Sequence, residues 1–113
     1  MEGNARPSAT ILVVEDVAEI RAGMRQLLEM DGYRVLEASN AWEARARAQS
    51  ERPALILTDF DLPTLEGLRQ AVHECAALRG VRIVILSPDE AEQAEDRDIT
   101  VIADLDELPM LLG

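Results

Sequence analysis

Short apolar runs alternate with longer amphipathic stretches along the chain, and that alternation predicts strands separated by helices. Thr10–Val14 (TILVV) is a continuous apolar run, the pattern of a strand buried on both faces. Val17–Met30 places Ile20, Met24, Leu27, Leu28 and Met30 near the helical period, and Asp31-Gly32 ends it. Tyr33–Ala38 alternates as a second strand, and Asn40 is placed to cap a helix running over Ala41, Ala44, Ala46 and Ala48. After Pro53, Leu55-Ile56-Leu57-Thr58 reads as the third strand. A third helix is expected over Leu65–Leu78, with Leu68, Val72, Cys75 and Ala76 as its inner stripe and Gly80 at its end. Val81–Leu86 (VRIVIL) and the weaker Ile99–Ala103 (ITVIA) supply the fourth and fifth strands. Asp106–Leu112 suits a short closing helix, in which Pro109 leaves only the first turn regular.

Strands alternating with helices imply an α/β fold with a parallel sheet, right-handed crossovers and helices on both faces. Sheets of this kind bind ligands outside the carboxyl ends of their strands, at a switch point in strand order. No internal repeat or linker divides the chain, so a flexible segment over residues 1–9 and one domain over residues 10–113 are expected.

Composition narrows the function classes. No apolar run approaches the roughly 20 residues of a membrane span. Met1 to Ser8 lacks the apolar middle of a signal peptide, which makes the cytoplasm the expected location. The single cysteine, Cys75, forms no disulfide or thiolate cage within one chain. Its apolar neighbours suit a small core residue, with a reactive thiol as the other reading. The 22 acids outnumber 11 bases, for a net charge of −11, which argues against nucleic acid as a direct partner. All of the bases are arginine; without lysine there is no Schiff base, P-loop lysine or lysine phosphate clamp.

Polar groups gather at the expected strand ends: Glu15-Asp16 after the first, Asp59 and Asp61 after the third, Ser87 after the fourth, Asp104 after the fifth. If the first, third and fourth strands are neighbours, several carboxylates share one small cavity. Like charges at such distances cost several kcal/mol in a partly dry site unless a cation is present. A hard divalent ion with oxygen ligands, Mg²⁺ by default, relieves that repulsion. A carboxylate beside Mg²⁺ and a hydroxyl suits phosphoryl transfer. Each acid taken alone fits an ordinary solvent-facing strand end, but their shared edge favours a site.

These segments resemble the response-regulator receiver family over nearly the whole chain. Ile11-Leu12-Val13-Val14-Glu15-Asp16 resembles its first strand and acidic pair, Arg21 falls where the family commonly carries an arginine, and Asp31-Gly32-Tyr33-Arg34-Val35 resembles its turn into strand two. Leu55 to Pro63, followed by Glu66-Gly67, resembles the segment around the phosphoacceptor, and Ile83-Val84-Ile85-Leu86-Ser87-Pro88 resembles strand four with its switch hydroxyl. The resemblance implies a doubly wound, flavodoxin-like five-stranded sheet in the order 2-1-3-4-5. It also implies that Asp59 accepts the phosphoryl group and that Ser87 contacts it. Mg²⁺ would be held by Asp16 and Asp59 directly, by Glu15 through water and by the Asp61 backbone carbonyl. The phosphate donor would be a histidine kinase or a phosphotransfer protein, with a further downstream protein partner. Such a chain is not an enzyme beyond its own phosphorylation and dephosphorylation.

The chain departs from the family pattern in three ways. It lacks the lysine at the end of strand five, where Asp104 falls nearby instead. It lacks the switch aromatic of strand five, since its aromatics are Tyr33, Trp42 and Phe60. The stretch between Ser87 and Ile99 is nearly all polar, so a fourth helix there is expected to be short or absent. From Asp89 to Glu107 the chain carries nine acids and one base, a solvated rim or a docking surface. Two readings stand: a receiver phosphorylated on Asp59, and a phosphorylation-independent pseudo-receiver that binds proteins. Asp59-Phe60-Asp61 also mimics the aspartate pair of haloacid-dehalogenase-type phosphatases, but Pro63 stands where that pattern has Thr or Val. His73 lacks the helical-bundle context of a phosphotransfer histidine. Trp42 either packs at the edge of the second helix or stays partly exposed for a partner.

Overall fold

The computed structural model describes residues 9–58, 62–86, 99–102 and 104–112. Asp59, Asp61, Ser87, Ala103, the N-terminal residues 1–8 and the polar stretch expected to lack a regular helix lie outside the described residues.

Nine regular elements follow one another among the described residues: β1 (Thr10–Val14), α1 (Ala18–Met30), β2 (Arg34–Ala38), α2 (Ala41–Ser50), β3 (Leu55–Thr58), α3 (Leu62–Glu74), β4 (Arg82–Leu86), β5 (Ile99–Ile102) and α4 (Leu108–Leu112). The five strands form one parallel sheet in the order β2-β1-β3-β4-β5, the order that the resemblance implies. Strand side chains alternate between two apolar layers. Leu12, Val14, Ile56, Ile83 and Ile85 meet Ala44 and Ala48 of α2 and Leu68 and Ala71 of α3. Ile11, Val13, Leu55, Leu57 and Val84 meet Met24 and Leu28 of α1 and Leu108 of α4 on the other face. Burial on both sides explains why the middles of β1, β3 and β4 read as apolar runs.

The expected boundaries shift where local chemistry competes with periodicity. The third helix starts at Leu62, earlier than the expected Leu65, because Pro63 suits a first turn that needs no N–H from it. It ends at Glu74; Cys75 is extended, and a 3-10 turn covers Ala76–Leu78. Ala76 is therefore exposed, and Ala71 takes its expected place on the inner stripe beside Leu68 and Cys75. Gly80 follows at φ 83°, a conformation that favours glycine. Asn40 caps α2 as expected, its Oδ1 accepting the Glu43 N–H at 2.8 Å. Of the α2 alanines, Ala44 and Ala48 are buried while Ala46 is exposed. Trp42 does not pack at the helix edge: 79 % of it is exposed.

Candidate functional site

The sheet register levels the carboxyl ends of three neighbouring strands. Val14 of β1 pairs with Thr58 of β3, and Thr58 pairs with Ile85 of β4. Glu15 follows Val14, Asp59 follows Thr58, and Ser87 follows Leu86 by one residue in the chain. The neighbourhood of strands one, three and four, on which the expectation of a shared acidic edge depended, is thus present.

Glu15 and Asp16 are consecutive acids with different surroundings. Glu15 is 2 % exposed, whereas Asp16 faces solvent. The Glu15 N–H donates to the Ala38 carbonyl at 3.0 Å, carrying the β1–β2 ladder one residue beyond the strand. One carboxylate oxygen, Oε2, accepts the Val17 N–H at 3.0 Å and so serves the start of α1, which has no side-chain cap of its own. Burying a carboxylate is costly unless it is paired, and a hard cation with oxygen ligands is one partner that would offset that cost at this edge. Within the described part, the donor set on hand for Mg²⁺ is Glu15 and Asp16.

Arg21 ties this edge to β2. Its Nη1 donates to the Glu15 carbonyl at 2.7 Å, and its Nε donates to Glu37 Oε1 at 3.2 Å. Arg25 Nη1 donates to the other oxygen of Glu37 at 2.6 Å. The Arg25 hydrogen bond holds the Glu37 carboxyl below the usual carboxylate range, more than offsetting partial burial, with Arg21 adding to it. Glu37 was not singled out from the sequence, where it reads only as a polar position in an alternating strand. Its spacing from Arg21 is set by the β1–β2 pairing and has no local signature.

Thr58 is the second residue that the sequence alone does not flag. It is fully buried, and its Oγ1 has no hydrogen-bond partner among the described residues. A hydroxyl in that state costs about 1–3 kcal/mol, and this one sits immediately before Asp59.

Asp104 is two residues past β5 and faces solvent. Its Oδ1 accepts the Asp106 N–H at 2.9 Å, and its own N–H donates to Glu107 Oε2 at 3.1 Å. This capping box starts the 3-10 turn Leu105–Glu107 that leads into α4. The carboxylate that falls near the missing lysine's position is thus engaged with backbone N–H. His73 is exposed, and Cys75 is buried at 6 % with Gln49 Nε2 at 3.8 Å from its sulfur, which fits the core reading of that cysteine. No described helix is long and apolar enough to cross a membrane.

Comparison with known proteins accords with this arrangement. The family model described as response regulator receiver domain matches residues 11–104. The chain is 45 % identical over 62 residues to the phosphate regulon transcriptional regulatory protein PhoB of Pseudomonas aeruginosa, covering 55 % of this chain and 27 % of that protein. It is 31 % identical over 100 residues to the transcriptional regulatory protein PdtaR of Mycobacterium tuberculosis, covering 84 % and 48 % respectively. The chain thus spans about a quarter to a half of these curated relatives. Among solved structures, the chemotaxis response regulator CheY4 of Vibrio cholerae superposes with a TM-score of 0.67 at 28 % identity, covering 92 % of this chain and 96 % of that one. Receiver domains are generally non-enzymatic signalling modules that bind Mg²⁺ at an acidic pocket and interact with histidine kinases or phosphotransfer proteins. By the extent of the family match and the strand order that accompanies it, this chain belongs to the response regulator receiver family.

Proposed function

We propose that the chain accepts a phosphoryl group on Asp59 in two-component signalling, from a histidine kinase or phosphotransfer protein, and passes the signal on through protein contacts. The observation that carries this reading is the register, in which the buried Glu15 follows the strand position paired with Thr58, the residue before Asp59. Asp16, Asp59, Glu15 and the Asp61 carbonyl are the groups that would hold Mg²⁺, and Ser87 is the hydroxyl for a phosphoryl oxygen. When bound, Mg²⁺ supplies neutralisation of charge on the oxygens in transfer. An Asp59 carboxylate oxygen attacks phosphorus as the donor's bond to phosphorus breaks, and Arg21 holds the Glu15 backbone that frames the edge. The acidic edge and a net charge of −11 support protein partners and disfavour nucleic acid and anionic membranes. A cytoplasmic location is in keeping with exchange with such kinases.

A second reading has its own support. The chain has no lysine, and Asp104 caps a turn, so a phosphorylation-independent pseudo-receiver working as a binding module is the alternative. Incubation with Mg²⁺ and a small phosphodonor, read by intact mass against Asp59→Asn, separates the two. A phosphoryl adduct on wild type alone supports the first; no adduct, from the small donor or from a cognate kinase, leaves the second.

A further inference from the structure

The largest side chain of α2 points away from the core. Its inner positions are the alanines Ala44 and Ala48, fully buried, while Trp42 is 79 % exposed. An outward indole adds little to a fold whose α2 contact is made by methyl groups. Two hollows flank it. One, of about 260 Å³, lies between Trp42 and Arg45 on α2 and Gln70 and Glu74 on α3, next to Ala41 and Gly67. The other, of about 380 Å³, runs along α2 past Ala46 and Gln49. The indole is therefore a ridge beside a recess that mixes small residues (Ala41, Gly67, Ala71) with the polar Arg45, Gln70 and Glu74.

The charges on this face are balanced, unlike those of the chain. Arg45 lies 3.6 Å from Glu74, and Arg69 lies 3.8 Å from Glu66. Both pairs are longer than a tight charge-assisted hydrogen bond, and all four side chains are at least 36 % exposed. Cations and anions alternate across α2 and α3, while the whole molecule carries −11.

We propose that this α2–α3 face is a contact between two copies of the chain, related by a two-fold axis, with each Trp42 seated in the recess beside the other copy's Gly67. A two-fold contact must be complementary to itself, and this face meets that condition in charge and in shape. Arg45 of one copy exchanges its long intramolecular pair for the other copy's Glu74, and the exchange is reciprocal. The charge balance selects a second copy over a strongly basic or acidic partner, which would leave half of these groups opposed by like charge. It also provides a face on which two acidic molecules meet without local repulsion. A tryptophan presents about 150–250 Å² on full burial against about 800 Å² per partner in a standard interface. One such anchor implies a weak, concentration-dependent dimer.

Because Trp42 is the chain's single tryptophan, its emission reports this contact directly. Sedimentation of the full chain, from low micromolar to near-millimolar concentration, should show a monomer–dimer equilibrium with a parallel blue shift of Trp42 emission. Arg45→Glu and Glu74→Arg should each be monomeric over that range. Their equimolar mixture should dimerise, because only the mixed pair restores opposite charges at both contacts. Trp42→Ala should lose dimerisation, and circular dichroism checks that each variant is folded. Wild type that stays monomeric throughout would overturn the proposal. So would single charge variants that dimerise like wild type, or dimers formed with Trp42 emission unchanged. If a variant fails to fold, wild-type sedimentation and emission decide alone.

Discussion

Thr58→Val should make the protein more stable. Valine keeps the branched shape of threonine and replaces the hydroxyl with a methyl, at a site that is fully buried between Val14 and Ile85. The Oγ1 there has no hydrogen-bond partner among the described residues, and an unsatisfied buried hydroxyl costs about 1–3 kcal/mol. The added methyl also gains transfer free energy, set against any tightening of an already dense core. Taking the lower half of that range, a gain of about 1–2 kcal/mol is expected. At about 2.1 cal/mol/K of unfolding entropy per residue, a chain of 113 residues has about 0.24 kcal/mol/K. Each kcal/mol then moves the midpoint by about 4 °C, so the melt should rise by about 4–8 °C. Calorimetry in the presence of a chelator is the assay, so that no divalent ion contributes. A midpoint below that of wild type would refute the reasoning, since it would mean that the hydroxyl makes a bond worth more than its burial costs.

Other substitutions probe the frame around the site. Asn40→Ala removes the side chain that caps α2 and should cost about 1 kcal/mol, read as a lower thermal midpoint; an unchanged midpoint would count against the cap. Gly67→Ala places a Cβ 2.8 Å from the Ala41 Cβ and should cost about 1–3 kcal/mol, with Ala41→Gly in the same chain restoring much of it. Failure of that rescue in denaturant titration would show that the helix approach is not the cause. Glu37 has its folded pKa depressed by Arg25, so its stabilisation is present above the unfolded value and is lost as pH falls through the folded one. Glu37→Gln should therefore cost about 0.5–1 kcal/mol at neutral pH after solvent screening, a difference that closes in acid. A cost that grows in acid would contradict the sign.

The fold was legible because its strands are covered on both faces, which makes the middles of β1, β3 and β4 apolar runs separated by helical periods. Alternation alone says that the sheet is parallel; the strand order came with the family resemblance. Helix ends were harder. Pro63 occupies a first turn that has no use for its N–H, which carries the third helix back to Leu62. Alanine spacing could not tell Ala46 from Ala44 and Ala48, because a methyl group suits either face. The acidic edge was visible in Glu15 and Asp16, but the depth of Glu15 and the exposure of Asp16 depend on neighbours far away in the chain. Glu37 and Thr58 were not visible for the same reason: one is defined by two arginines of α1, the other by the bond it lacks. Asp104 was expected as a plain substitute for a cation near the site, and its capping role became apparent only from the turn into α4.

The central claim is that Asp59 is the chemical centre of this receiver, and the position of the modification tests it most directly. The chain has no lysine, and Pro53 protects the bond after Arg52, so tryptic cleavage at arginine releases residues 48–69 as one peptide. After treatment with Mg²⁺ and a small phosphodonor, the account predicts one phosphoryl group on that peptide and none on Asp59→Asn or without the metal. A phosphoryl group found on another peptide, or retained in Asp59→Asn, would contradict it.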